Sequence, residues 1–304
     1  MIRFWRETFW VAAYETGEAA RTRLLQMATL AYLGALGAFN VLLVLILREM
    51  ERSAAEALGV QTTERPGAML AQLQADGKLD EVARFFVGRD SDEQVQTLLR
   101  EPLLALWATA GAMVLLPVLS LLSSSGTVAT ELRSRSIRYL ACRTGRLQIA
   151  LGKLIGQLGF ATLALVAGLA LTWGMGMILM VQVPPVALAS SLLLRAPRIL
   201  AYTFPMVAMG LAASQVTASP NGARFLALIL MLAMPIGLGT LMDHVGPDTV
   251  GRLADLGVMM ISLSSWGALW SLNTGEVLAA AGRCCALALA YFSIGFLFFR
   301  GRDL

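Results

Sequence analysis

Residues 130–156 read TELRSRSIRYLACRTGRLQIALGKLIG and join two long stretches that contain no charged side chain. This connector holds five arginines, one lysine and one glutamate. Lys and Arg are enriched in the cytoplasmic loops of membrane proteins, so positive charge between two apolar segments is typical of such a loop. The connector therefore predicts which end of the protein lies in the cytoplasm.

The composition around the connector is that of a membrane protein. Of the 304 residues, 57% are hydrophobic and 14% are charged, with a mean hydropathy of +0.68, whereas soluble domains carry about 25% charged residues. Apolar runs of about 18 or more residues are long enough to cross a bilayer as helices. The uncharged runs are 24–47, 102–130, 154–194, 199–223, 225–242, 256–275 and 284–299. We therefore predict an all-α polytopic membrane protein, with membrane lipid and no nucleic acid among its partners.

Charge counting predicts six spans with both termini in the cytoplasm. With that topology the cytoplasmic pieces hold thirteen cations and five acids, and the outer pieces hold eleven cations and fifteen acids. This asymmetry follows the positive-inside rule. The expected spans are about 24–47, 102–122, 153–180, 199–217, 224–243 and 279–299. The cytoplasmic connector is 123–153.

Two outer segments are expected between these spans. A seventh crossing at 256–275 would place Arg300 and Arg302 outside, against the charge rule, and this run also contains four serines and two tryptophans. We interpret 244–278 as a re-entrant-like helical segment that dips into the outer leaflet before the last span. The mixed-charge segment 48–101 is expected to be helical, either as a small lid or as a solvated connector.

Residues 1–23 mix charges with aromatic side chains and contain no uncharged core of a cleaved signal. Trp5 and Phe9 recur at helical spacing, with Trp10 beside them. Aromatic rings in this pattern favour a helix that lies in the membrane interface. A plain cytosolic extension of the first span is the alternative.

The residues offer little chemistry of their own. The expected spans contain almost no buried charge, which argues against a proton or ion relay. Gln26, Asn40 and Gln157 are the notable polar groups within them, and interhelical hydrogen bonding is the favoured role over a substrate site. The chain has no phosphate-binding loop and no cysteine or histidine set suited to a metal. We therefore expect no catalytic, cofactor or metal site, and any ATP hydrolysis would belong to another polypeptide.

The connector resembles the one between spans two and three in permease subunits of type 2 ABC transporters. Glu131 matches the first acid of that pattern, Ser136 the threonine, Arg146 the later arginine, and Gly152–Lys153 the closing pair. The matches continue at the charged and apolar positions Arg133, Ile137 and Leu140. The chain departs from the pattern at Arg135, where glycine is usual, and at Arg143–Thr144, where proline is usual. It is also one residue short before Arg146.

The resemblance covers the whole chain and implies a single permease domain, 1–304, of an ATP-driven exporter in a plasma membrane such as a bacterial inner membrane. It implies a second permease, with a homodimer favoured, and a partner ATPase subunit that holds ATP and Mg. The connector would form the helix that couples to this ATPase. The residues assigned to coupling are Glu131, Arg133, Arg135, Ser136, Ile137, Arg138, Tyr139 and Leu140.

Small residues four apart allow helices to approach closely. Gly152 and Gly156 open span three, and Gly34 and Ala38 lie in span one. We expect a permease dimer seam or a transport pathway at one of these places, with Asn40 and Gln157 as polar members. A passive channel or a structural membrane subunit without an ATPase is the alternative function. A lipid-modifying enzyme is disfavoured, because no cluster of His, Asp or Glu lies within the spans.

Overall fold

The computed structural model describes residues 2–58, 101–180, 184–244, 265–271 and 273–302, with side chains throughout except at 2, 54, 57, 58 and 234–244. Every regular element in these ranges is helical. The helices are α1 (Ile2–Arg21), α2 (Arg23–Leu58), α3 (Leu103–Ser124), α4 (Thr127–Ser134), α5 (Ile137–Ala141), α6 (Arg146–Leu179), α7 (Pro185–Val216), α8 (Pro220–His244), α9 (Trp266–Trp270) and α10 (Thr274–Arg300).

Five described helices are long and apolar enough to cross a membrane. They correspond to α2, the joined α3 and α4, α6, α7 and α10. The described apolar part of α8, Pro220–Ala233, falls short of that length, although the helix itself continues to His244. An all-α polytopic membrane protein is thus confirmed.

Helices α2, α3 and α6 pack with alternating directions. Along α6, Gly168 lies against Tyr32 and Leu36 of α2, and Thr172 accepts a hydrogen bond from Asn40, so α2 and α6 run parallel. The Phe39 ring stacks on Trp107 at 4.5 Å between centroids, and Leu36 lies near Gly111. Residue numbers therefore rise along α2 as they fall along α3, and these two helices are antiparallel.

Helix α7 lies at the centre of the bundle and runs parallel to α3 and α10. At one end of α7, Arg195 pairs with Glu101, which precedes α3, and Arg198 donates to the carbonyl oxygens of Leu269 and Ser271, just before α10. At the other end, a Cβ placed on Gly210 would meet the carbonyl oxygen of Leu121 in α3. Because α7 and α10 share a direction, the chain must return to the opposite end between them, and α8 begins that return.

Helix boundaries differ from the expected spans at several places. Helix α2 continues to Leu58, eleven residues beyond the expected end, so the first part of segment 48–101 extends the helix. Helix α7 begins at Pro185 rather than near 199 and includes Pro197 and Pro205. Sequence counting placed Arg195 and Arg198 in a loop. In the structure, Glu101 neutralises Arg195 within the helical bundle, which removes the reason to exclude that stretch. The expectations for 59–100 and 245–264 lie outside the described residues.

The connector forms two short helices rather than one amphipathic helix. Helix α4 ends at Ser134, the next residue, Arg135, has a left-handed φ of 59°, and α5 follows after Ser136. That conformation suits glycine, the residue usual at this position in the resembling permeases. The Ser214 hydroxyl of α7 accepts hydrogen bonds from the backbone N–H groups of Val128 and Ala129, both at 2.9 Å. These bonds fasten the start of the connector to the central helix.

The last described residues return to the connector end of the bundle. Arg146, the first residue of α6, donates to the carbonyl oxygens of Arg300 and Arg302, and the Arg302 guanidinium donates to the carbonyl oxygen of Val216. The beginnings of α1 and α6, the ends of α7 and α10, and the connector therefore lie together at one end of the molecule.

Candidate functional site at the connector end

Helix α1 packs lengthwise on the first part of α6 through small residues. A Cβ placed on Gly152 would lie 2.6 Å from Cβ of Val11, and one placed on Gly156 would lie 2.7 Å from Cβ of Glu15. The Thr16 hydroxyl also donates to the carbonyl oxygen of Gly156 at 3.0 Å. The expectation that Gly152 and Gly156 form a seam between two permeases is therefore wrong, because α1 of the same chain already covers them.

This close approach brings a buried ion cluster together at the start of α6. Lys153 Nζ donates to Glu15 Oε2 of α1 at 2.7 Å and to Glu131 Oε1 of α4 at 2.8 Å. The side chains of Lys153 and Glu15 are only 2% and 7% exposed, and that of Glu131 is 19% exposed. Three segments that are remote in sequence thus meet at one ammonium group.

Neutral side chains complete the cluster. Gln157 Nε2 donates to Glu15 Oε1 at 3.0 Å, and the Ser123 hydroxyl of α3 donates to Gln157 Oε1 at 2.9 Å. Gln157 is thus an interhelical hydrogen-bond partner, as favoured from the sequence. With both carboxylates ionised, the cluster holds one cation and two anions. Glu131 Oε2 is buried and has no hydrogen-bond partner among the described residues.

This buried charge lies outside the expected spans, in α1 and the connector, except for Lys153 at the first position of the third expected span. A buried ion pair that loses one partner leaves the other charge uncompensated, which is strongly unfavourable. The cluster therefore holds α1, the connector and α6 in one fixed arrangement. Such a fixed arrangement allows a displacement of the connector to be transmitted to a membrane-spanning helix.

The assigned coupling residues divide into exposed and buried groups. Arg133, Arg135, Arg138 and Ser136 are exposed, and Tyr139 is 81% exposed. Leu140 is half-buried, and Glu131 faces Lys153.

Ile137 is buried among Val128, Leu154 and Val207. It therefore anchors α5 to the bundle, and its side chain is not part of the exposed surface that a partner could contact. The exposed surface of the connector is rich in arginine and includes one tyrosine, Tyr139.

The aromatic residues of α1 lie away from α6. Trp5, Phe9 and Trp10 are 48%, 60% and 73% exposed. The opposite face of the helix, which includes Thr8, Val11 and Glu15, is buried. Exposed rings on one side of a helix suit the headgroup region of a bilayer. The interfacial position of α1 remains a prediction.

The remaining polar groups of the expected pathway are engaged within the bundle. Asn40 Nδ2 donates to the Thr172 hydroxyl at 2.9 Å, deep between α2 and α6. Gln26 Nε2 instead bonds to the carbonyl oxygen of Ala20 at the junction of α1 and α2. Asn40 thus links α2 to α6, as the sequence predicted for an interhelical hydrogen bond. Gln26 links α2 to α1 at an exposed junction.

A second ion pair lies at the opposite end of the bundle. Arg195 Nη2 is 2.9 Å from Glu101 Oε2, and the Ser191 hydroxyl donates to the same oxygen at 2.5 Å. The Arg195 guanidinium also lies 5.1 Å from the centroid of the Trp270 ring. This cluster joins Glu101, which precedes α3, to α7 and α9, and its charged groups are paired with each other.

Sequence reasoning missed the role of Glu15 and the burial of Lys153. A signal was present, since Thr8, Ala12, Glu15 and Ala19 recur at helical spacing and are small or uncharged except for Glu15. A lone acid on such a face needs a cation opposite it. Nothing in the local sequence shows that this cation stands 138 residues away.

No family model matches the chain, and no curated protein matches it significantly.

Proposed function

We propose that the chain is the transmembrane subunit of an ATP-driven exporter of the type 2 ABC class. In this proposal α8 is the fifth of six spans, and the connector end faces the cytoplasm. The connector contacts a separate ATPase subunit, which holds ATP and Mg. The chain pairs with a second permease, of the same sequence in the simplest case.

The observation that carries the proposal is the way the connector is attached. Its exposed outer surface carries Arg133, Arg138 and Tyr139, while its inner side is fixed to α6 by the Glu131–Lys153 pair and to α7 by Ser214. A loop that only marked the cytoplasmic side would need its arginines and not these anchors. A basic surface that is anchored in this way suits a docking element that transmits movement to α6 and α7.

Pairing is supported by the surface of α2. The side chains of Leu30, Leu42 and Leu45 are exposed, and a Cβ placed on Gly34 would meet no neighbouring atom. Such a surface serves either lipid or a second chain. In the proposed assembly this face, and not Gly152 or Gly156, provides the contact between permeases.

The test is ATP hydrolysis by the complex isolated from its own membranes through a tag on this chain. We expect a co-isolated subunit with a phosphate-binding loop and vanadate-sensitive hydrolysis. Replacing both Arg133 and Arg138 by Glu should remove this subunit, because like charges then face a surface selected for a basic partner. The matched control is the pair Arg6→Glu and Arg21→Glu at exposed positions of α1, which should leave the complex intact.

The alternative of a passive channel gives a different result. In that case the chain alone, reconstituted in vesicles, would conduct solute without nucleotide, and no ATPase would accompany it. That outcome, or full ATPase recovery with the charge-reversed connector, would overturn the exporter proposal.

A further inference from the structure

The ion cluster at the start of α6 contains more acid than base. The Lys153 ammonium group lies within hydrogen-bond distance of both Glu15 and Glu131, and its side chain is 2% exposed. With both acids ionised, these three side chains hold one net negative charge away from water. An uncompensated charge in such a place is unfavourable, and an acid that shares a site with another acid avoids it by keeping a proton.

The charges on neighbouring elements do not balance this excess. The cluster lies between two cavities, one lined by Arg224 of α8 and the other by Arg143 of α5. Among the described residues neither arginine forms an ion pair with Glu15 or Glu131, and Arg224 donates to the side chain of Asn221 instead. The other charged or titratable side chains around the cluster are Glu7, Tyr14 and Glu18 of α1, and Arg133 and Arg135 of the connector.

The two acids of the cluster differ in the donors that they receive. Glu15 accepts from Lys153 through Oε2 and from Gln157 through Oε1, at 2.7 and 3.0 Å. The Ser123 hydroxyl holds Gln157 in this orientation by donating to its Oε1. Glu131 accepts from Lys153 alone, through Oε1, and its Oε2 is buried without a partner among the described residues. The surroundings thus support the ionised form at Glu15 and not at Glu131.

We propose that Glu131 carries a proton in the folded chain, so that Lys153 and Glu15 form the charged pair and Glu131 lies beside them as a neutral acid. The neutral acid still accepts from Lys153 through its carbonyl oxygen Oε1, and the proton is on Oε2. A buried hydroxyl without an acceptor costs less than a buried charge without a partner. The Glu131 side chain is 19% exposed and lines both cavities, which gives the proton a short route to water.

This proton makes the attachment of the connector depend on pH. When Glu131 loses its proton at higher pH, the second carboxylate charge opposes burial of the cluster. Between about pH 5 and about pH 8 the folded chain holds a proton that the unfolded chain has released, so its stability falls as the pH rises. The connector is therefore held most firmly at acidic to neutral pH. This inference does not depend on an ATPase, and its failure would leave the exporter proposal standing.

The first test is the infrared spectrum of the full-length protein in detergent at neutral pH. Carboxylic acids absorb apart from carboxylates and amides, and exposed acids are ionised at this pH. We expect a carboxylic-acid band that is lost in Glu131→Gln. The matched control is Glu18→Gln, which lines one of the same cavities and should keep the band. Absence of the band in the unaltered chain, or its persistence in Glu131→Gln, would overturn the proposal.

Thermal unfolding midpoints provide an independent test. Glu131→Gln replaces one neutral group by another of nearly the same shape, so the midpoint at neutral pH should not fall and its dependence on pH should flatten. Glu15→Gln removes the charged partner of Lys153 and should lower the midpoint by about 3–6 °C. An equal fall in both variants would show that both acids are ionised and would contradict the proposal, as would a midpoint of the unaltered chain that rises between about pH 5 and about pH 8.

Discussion

Lys153 shows how one residue can carry two roles. As part of the connector sequence it adds to the positive charge that would place the connector in the cytoplasm in the proposed topology. In the fold its ammonium group is almost fully buried and joins Glu15 to Glu131. Its place in the closing Gly–Lys pair of the connector could be identified from the sequence, but its partners could not, because they are fixed by tertiary packing.

Replacing Lys153 by Met should leave two buried carboxylates without a cation. Breaking a buried pair by removing one partner costs about 3–5 kcal/mol, so we expect a marked fall in the midpoint of thermal unfolding in detergent. Adding Glu15→Gln to Lys153→Met should recover part of the loss, since one uncompensated charge is then removed. Arg23→Gln, at an exposed position, is the control. An unchanged midpoint for Lys153→Met would contradict the buried cluster.

The left-handed backbone conformation of Arg135 is unfavourable for a residue with a side chain. For residues other than glycine this conformation costs about 1–2 kcal/mol. Arg135→Gly should therefore stabilise the protein by about 1 kcal/mol in denaturant unfolding, whereas Arg135→Ala, which removes the same charge, should not. Equal effects of the two changes would mean that the charge, and not φ, determines the stability at this position.

At the scale of elements, the pairing of α1 with α6 depends on glycine. The sequence predicted α1 as a helix and identified the small residues at the start of α6, but assigned them to another chain. The periodicity shows that the residues on one face of a helix are small, but it does not show which helix packs against them. The buried side of α1, with Thr8, Ala12 and Glu15, is the complementary face.

Gly156→Ala should separate α1 from α6. The added Cβ would lie 2.7 Å from Cβ of Glu15 and 2.8 Å from the carbonyl oxygen of Ala12, and overpacking of this kind costs about 1–3 kcal/mol. Gly174→Ala, in the same helix with nothing within 4 Å, should have little effect or stabilise α6 slightly. Distances between spin labels on α1 and α6, together with unfolding midpoints, would measure both changes. Identical behaviour of the two variants would contradict this packing.

The boundaries of α3 were predicted closely, because Glu101 marks its start. Helix α3, expected at 102–122, is observed at Leu103–Ser124. The start of α7 was missed because Arg195 and Arg198 interrupt the uncharged run, so the span was expected to begin after them. A helix can include such residues when an acid from another segment neutralises the charge, as Glu101 does for Arg195, and that neighbour is invisible in the local sequence.

At the scale of the whole molecule, helix directions agree with an alternating path through a membrane. Helices α2 and α6 run one way, and α3, α7 and α10 run the other. Composition and run length were sufficient to predict this class of fold. They could not predict that the first helix, the connector and the last residues would meet at one end, because those contacts join residues more than a hundred positions apart.

Topology can be tested with single cysteines in a cysteine-free background. Ser134 lies in the connector, and Thr274 begins α10 at the opposite end; both are exposed. In intact cells we expect a membrane-impermeant thiol reagent to label the Thr274→Cys variant and not the Ser134→Cys variant, with both labelled after permeabilisation. Labelling at position 134 from outside would reverse the proposed orientation.

The ion cluster also imposes an order on biosynthesis. The chain emerges from the ribosome with Glu15 first, and its counter-charge Lys153 is added only 138 residues later. Until then, burial of Glu15 is unfavourable, and α1 must wait in contact with water or headgroups. Helix α1 therefore docks late, only after α6 has been synthesised. A chain stalled before α6 would keep Glu15 exposed, and quality-control proteases could recognise that face of α1.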